Sequence, residues 1–173
     1  FNWDRFRQVC EESNRTAEYL LDWNDLRRHV PCPQVSKIVA LCTALLVAFS
    51  GDPEGTAIAK AFRDEARERI ERGESAVEGG EMYRAVWYQD PVWWDLQFYD
   101  WMESELKLVI PMDLFGYYAP EALSDTSTPK SMLQGLARKS LRTLPMSRQF
   151  KGPIDNFIEA YLKLCDEYGA DFG

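Results

Sequence analysis

Asp90, Pro91, Trp93 and Trp94 follow a short aromatic and β-branched run, MYRAVWY at residues 82–88, and Asp113, Tyr117 and Tyr118 follow a second, LKLVIPM at residues 106–112. Carboxylates, indole faces and phenol hydroxyls placed after two apolar runs are the residue types of a ligand cleft. Aromatic walls exclude water, and hydroxyls orient a carbonyl or cover a cofactor. The same rings also serve a domain interior: residues 84–113 hold four of the six tryptophans. Asp90, Pro91, Trp93, Trp94, Tyr117 and Tyr118 are therefore the substrate-pocket candidates, with core packing as the competing reading. Asp113 stands where α/β proteins place ligand loops, and is expected to be a solvated strand-end carboxylate.

Other chemistries find less support. His29 is the only histidine and has no neighbouring metal ligands. Cys10, Cys32, Cys42 and Cys165 are widely spaced and form no C-x-x-C pair, so no metal site is expected within this stretch. Glu103 and Glu105, two residues apart, face different directions on a helix and make no acid and base pair. The terminal Asp171-Phe172-Gly173 matches a kinase magnesium motif in three letters only. Neither a glycine-rich phosphate loop nor a Walker lysine loop precedes it. The serines and threonines at 124–128 have no adjacent base to activate them.

Positioning the candidates requires a scaffold, and its elements are legible as changes of period. Phe6, Val9, Cys10, Ala17, Leu20 and Leu21 recur at helical spacing and predict a long first helix ending before Pro31-Cys32-Pro33. Val35–Phe49 predicts a second helix stopped by SGDPEG at 50–55, and Ala57, Ile58, Ala61, Phe62 and Ile70 predict the inward face of a third. The two apolar runs then read as strands. Between them DPVWWDLQFYDWMESE reads as one crossover helix, capped by Asp90, with Pro91 in its first turn and Trp94 and Trp101 near one face. A β-α-β unit of this kind has parallel strands.

Beyond a Gly-, Pro-, Ser- and Thr-rich loop at 116–129, Met132, Leu133, Leu136, Ala137, Leu141 and Leu144 mark another amphipathic helix. Ile154, Phe157, Ile158, Tyr161, Leu162, Cys165 and Tyr168 form the stripe of a last one. A glycine break after such a helix leads in α/β proteins into another strand, so the chain reads as a piece of a longer polypeptide. The expected fold is α/β: a helical N-terminal segment leading into an incomplete Rossmann-like or flavodoxin-like domain with parallel strands. Residues 1–78 form the helical linker and leader, and 79–173 the partial α/β domain.

The length, 173 residues, suffices for a hydrophobic core without staples. A formal charge of −8, with basic residues scattered among acids, argues against a nucleic-acid partner. The longest apolar run, Ile38–Phe49, is too short to span a bilayer, so no membrane association is expected. With no signal peptide and unpaired cysteines at apolar positions, the expected setting is cytoplasmic with reduced thiols.

The order of these landmarks resembles a known family. SNRTAEYLLDWNDLRRHVPCP, a long helix and a charged helix, RAVWYQDPVWWDLQFYDWMESELKLVIPMD, a Met- and Leu-bearing helix and IDNFIEAYLKLCDEYGAD together are similar to the 2-hydroxyacyl-CoA dehydratase and benzoyl-CoA reductase subunit family. Arg84, Trp87, Pro91 and Trp93 match its second α/β domain, whereas Gln89 stands where glycine is common. Tyr168-Gly169-Ala170-Asp171 resembles its passage from helix to strand.

The resemblance implies an iron-sulfur enzyme. A [4Fe-4S] cluster in the full-length subunit, ligated outside this fragment, would receive a low-potential electron from an ATP-dependent activator protein. A second homologous subunit would complete a heterodimer around the acyl-CoA substrate. The electron permits loss of the hydroxyl of a 2-hydroxyacyl-CoA in the dehydratases, or attack on an aromatic acyl-CoA ring in the reductases. A noncatalytic scaffold or an unrelated ligand-binding domain is the reading from a different class.

Overall fold

The structure is a computed structural model and describes residues 1–88, 90–117, 123–142 and 153–173. Among them, three helices, α1 (Trp3–Leu26), α2 (Lys37–Ala48) and α3 (Pro53–Glu71), precede strand β1 (Tyr83–Trp87). Helix α4 (Gln97–Leu106) crosses to strand β2 (Leu108–Asp113), and α5 (Pro129–Arg142) and α6 (Ile154–Glu167) follow. β1 and β2 pair in parallel, as the β-α-β reading requires. An isolated parallel bridge from Ala85 to Phe172 brings the segment after α6 alongside β1. The fold is α/β, with a helical N-terminal segment leading into parallel strands.

Local chemistry sets the ends of the first helices. Asn2 caps α1 by accepting from the Arg5 amide at 2.9 Å, and Asp52 caps α3 from its side chain with Pro53 in the first turn. Helix α3 packs on α1 through small residues. Gly55, Ala59 and Ala66 are buried at helical spacing, so it is not Ala57, Ile58 and Ala61 that face inward; those three are exposed. Gly55 lies against Phe49 at the end of α2, and small side chains at 59 and 66 leave no need for large apolar residues on the buried face.

Trp23, fully buried, organises the centre. Its indole N–H donates to Gln34 Oε1 at 2.7 Å, and its ring packs near Phe62. Residues of both chain segments share its core, from Ala17, Leu20, Val39 and Leu45 to Val86, Met112, Phe157 and Tyr168. Polar staples tie the same segments together. The buried Arg27 guanidinium donates to the carbonyls of Pro111 (2.7 Å), Ile110 (2.9 Å) and Gln34 (2.9 Å). Ser36 Oγ accepts from the Ile110 amide at 2.8 Å while donating to Glu103 at 2.6 Å.

These bonds fall at an irregularity in the strand register, which passes from Arg84↔Val109 to Val86↔Met112. Pro111, which has no N–H for the ladder, sits there, and side chains of the helical segment satisfy the backbone around it.

The crossover departs from expectation at its start. Helix α4 begins at Gln97, after a turn in which Asp95 accepts from the Gln97 amide at 3.1 Å; Asp90 does not cap it, and Pro91 lies outside it. Trp93 and Trp94 consequently sit on an irregular segment, 41% and 80% exposed, and only Trp101 is on the helix, 49% exposed. The indoles of Trp93, Trp94 and Trp101 therefore lie outside the core, while Trp87 packs against a buried cluster that includes Ala85, Tyr99, Met102 and Ile110 of the same stretch.

The last helices also bury fewer residues than their stripes predict. Met132 is buried in α5 while Leu133, Leu136 and Leu141 are exposed. Phe157 and Leu164 of α6 are buried, with Tyr168 just beyond it, while Ile154, Ile158 and Leu162 are exposed. Leu144 lies outside the described residues. Among the described residues no helix is long and apolar enough to cross a membrane.

Candidate functional site

Parallel pairing brings the C-terminal ends of both strands to one edge, where Trp87 and Asp113 are register partners. The Leu114 amide donates to the Trp87 carbonyl at 3.2 Å, which prolongs the pairing by one step beyond the strands. The segments that leave this edge are those the sequence singles out, 90–96 after β1 and 114–117 after β2.

Asp113 organises the second segment. It is 2% exposed, so the expectation of a solvated carboxylate is overturned: apolar neighbours on both faces of β2 close over it. Its Oδ1 accepts from the Phe115 amide at 2.8 Å and from the Gly116 amide, and its carbonyl accepts from the Tyr117 amide at 3.2 Å. Burial raises its pKa to about 7, against the pull of those amides and of Arg27, and the nearby charge of Asp90 raises it further. A carboxyl that titrates near neutrality can hold and return a proton. With one oxygen committed to two backbone amides, its first task is to shape the 114–117 turn.

Gly116 fits a close approach at that turn. A Cβ there would lie 3.0 Å from Val39 Cγ1 and 3.1 Å from Asp113 Oδ1.

The sequence-derived candidates divide. Asp90, exposed, is near enough for its charge to act on Asp113, and its carbonyl accepts from the Trp87 indole N–H at 3.0 Å. Pro91 is buried beneath the segment, and its carbonyl accepts from the Trp93 amide at 2.9 Å. Trp93 and Trp94 project from the same segment into solvent. Tyr117 is partly buried against the main core and acts electrostatically on Tyr168. The structure thus brings Asp90 and Tyr117 to one edge, with Trp93 and Trp94 as exposed indoles beside it. Tyr118 and Gln89 lie outside the described residues.

Three tyrosines near this edge are not among the sequence-derived pocket candidates. Tyr88 leaves β1 43% exposed, with its ring edge-on to Phe157 and Tyr161 at 5.5 and 5.4 Å. The Tyr161 hydroxyl donates to the Val86 carbonyl at 3.0 Å, and burial leads the effects that push its pKa to about 12. Tyr99 Oη accepts from the Val92 amide at 2.9 Å and so anchors the 90–96 segment to α4. Tyr88 was legible in principle as the first residue past β1. The other two depend on which way their helices turn.

The cysteines do not form a cluster site. Cys32 and Cys42 are fully buried, and their thiols donate to the carbonyls of Gln34 at 3.4 Å and Gly116 at 3.9 Å. Burial pushes all four thiols up from their ordinary pKa. Among the described residues no three His, Cys, Asp or Glu side chains converge on a metal position. Among the described residues the four thiols therefore do not converge as a set of cluster ligands would.

Against known proteins, the chain matches the family described as 2-hydroxyglutaryl-CoA dehydratase, D-component, over residues 1–172. No curated protein and no solved structure matches it.

Proposed function

The chain belongs to the 2-hydroxyglutaryl-CoA dehydratase D-component family, and on that premise we propose that it forms part of an iron-sulfur, radical-type 2-hydroxyacyl-CoA dehydratase subunit and helps to enclose the acyl-CoA substrate. The family match carries the dehydratase reading, and the observation that supports substrate enclosure is the shared edge of β1 and β2, from which the segments bearing Asp90, Trp93 and Trp94 and bearing Tyr117 both leave. Strand-end crevices of α/β sheets take ligands in this position. Exposed indoles offer flat apolar area that a nucleotide or an acyl chain covers at low entropic cost. In this reading the [4Fe-4S] cluster is ligated outside these residues, an ATP-dependent activator supplies its electron, and a second homologous subunit completes the enclosure.

The role of this chain's own residues is positional. Asp113 fixes the 114–117 turn, Tyr99 fixes the 90–96 segment, and the aromatic side chains beside them exclude water from the bound thioester. The test is iron content and electron paramagnetic resonance on the natural assembly, purified without oxygen and examined before and after reduction. Stoichiometric iron with a reducible cluster signal, together with conversion of a 2-hydroxyacyl-CoA to its enoyl-CoA, is the expected result. An intact, folded assembly without iron contradicts the cluster chemistry.

A further inference from the structure

Behind the strand-end loop lies a cavity of about 340 Å³ bounded by α1, α2 and α5. Phe6 and Val9 of α1, Leu46 and Val47 of α2, Leu136 of α5 and Phe115 of the loop give it largely apolar walls. The polar groups of its lining already serve one another. Lys139 Nζ donates to Ser13 Oγ at 2.7 Å and to Ser50 Oγ at 2.6 Å, and these two hydroxyls lie 3.2 Å apart. Lys139 and Ser140 each take part in a further interaction besides. The ammonium is thus held by the chain itself, and the free wall area is hydrocarbon.

The segments around this space are in tight contact, so its walls do not close on one another. Asn14 grips Ser124 through both side-chain atoms, Nδ2 to the carbonyl at 2.7 Å and Oδ1 from the amide at 2.9 Å. Arg7 Nε donates to the Thr126 carbonyl at 3.1 Å, which fastens the same loop to α1. A Cβ at Gly135 would overlap Ser124, so α5 lies directly on that loop. On the opposite side a Cβ at Gly51 would come within 2.7 Å of Val9 Cγ1. Apolar walls held apart in this way forgo dispersion contacts, which an apolar ligand restores.

We propose that this cavity binds an uncharged aliphatic chain of roughly eight to twelve carbons, packed against Phe6, Val9, Leu46 and Leu136. The length follows from volume: an apolar cavity of ~150 Å³ accepts one six-carbon benzene ring, and the space here is about twice as large. Neutrality follows from the lining. A charged ligand would give up its hydration to meet hydrocarbon walls and an ammonium that the chain has already engaged, whereas an alkyl chain gives up only unfavourable contact with water. Val47, 80% exposed, stands at the mouth, where the polar end of such a ligand keeps its water. None of the exposed indoles lines this site, and it goes beyond the dehydratase reading.

Calorimetric titration of the intact protein at pH 7 with the linear alcohols from pentanol to dodecanol tests it. One-to-one affinity should rise about threefold to fourfold per methylene and level off between octanol and dodecanol, when the cavity is filled. Decanoate and decylammonium should each bind about tenfold or more weakly than decanol. Leu136→Trp adds bulk at a half-exposed wall position; it should weaken decanol by about tenfold or more and move the plateau to shorter chains. Should this variant fail to fold, Val47→Asp, at the exposed mouth, is expected to weaken decanol in the same way. Absence of saturable decanol binding, a rise through dodecanol with no plateau, or decanoate binding as tightly as decanol would overturn the proposal. A folded Leu136→Trp or Val47→Asp protein with the parent's affinity for decanol would do the same.

Discussion

Trp87 and Asp113 stand opposite one another at the C-terminal ends of two parallel strands, and Leu114 extends the pairing by donating to the Trp87 carbonyl at 3.2 Å. Everything proposed for the acyl-CoA edge depends on this relationship, because it brings the 90–96 and 114–117 segments into one neighbourhood.

Asp113 gives that edge a pH signature. Its carboxyl ordinarily titrates near 3.8, and burial raises it to about 7 in the folded chain. The folded state therefore keeps a proton that the unfolded chain releases, so this group's contribution to stability is complete below about pH 4 and is lost as pH rises through about 7. Asp113→Asn retains an oxygen for the Phe115 and Gly116 amides but does not titrate. Its stability relative to the parent should improve by roughly 3–4 kcal/mol between pH 4 and pH 8, at about 1.4 kcal/mol per unit. Urea denaturation at both pH values measures this, and a flat difference would show that the carboxyl is not held protonated.

Arg27 supports the register irregularity from below. Replacement by Met removes donors from the carbonyls of Gln34, Ile110 and Pro111 in a fully buried setting. A loss of about 3 kcal/mol or more is expected from the unpaired groups. A denaturant midpoint within error of the parent would mean that water or backbone movement replaces the guanidinium.

Gly55→Ala probes the approach of α3 to the end of α2. The added methyl would overlap the Phe49 carbonyl and lie 2.9 Å from Phe49 Cβ, backbone and near-backbone atoms that cannot swing aside. Destabilisation of roughly 1–3 kcal/mol should follow despite the better helix propensity of alanine. Increased stability would contradict the close approach of α3 to the α2 terminus.

Trp93 and Trp94 separate stability from function. Both are exposed, and Trp94 is 80% accessible, so Trp94→Ala should change folding stability by no more than about 0.5 kcal/mol. In the natural assembly the same substitution should raise the KM for acyl-CoA several-fold with a smaller change in kcat. An unchanged KM would remove the indole from the substrate wall.

The sequence made the parallel strands, the long first helix and the crossover legible, because period and turn residues act locally. The start of α4 was not, since Asp90 and Pro91 have the right residue types for a helix N-terminus while the helix begins after Leu96, with Asp95 accepting from the Gln97 amide just before it. Nor was the inward face of α3, where close backbone approach favours Gly55, Ala59 and Ala66 over the larger Ile58. At the edge itself, Asp90 and Tyr117 follow the ends of β1 and β2, which local period alone locates. The burial of Asp113 depends on elements far away in sequence, and so do the partners of Tyr99 and Tyr161. Lys139 reads as one more surface cation on an amphipathic helix until Ser13 and Ser50 arrive from two other segments.

The most direct test of the acyl-CoA edge is hydrogen exchange on the anaerobically purified natural assembly, with and without a 2-hydroxyacyl-CoA that it turns over. The account predicts that substrate slows exchange at the amides of residues 92–96 and 114–117, while the Trp94→Ala assembly shows weaker protection there at equal substrate. Turnover accompanied by unchanged exchange in both segments, with protection elsewhere, would contradict the placement of substrate at the ends of β1 and β2.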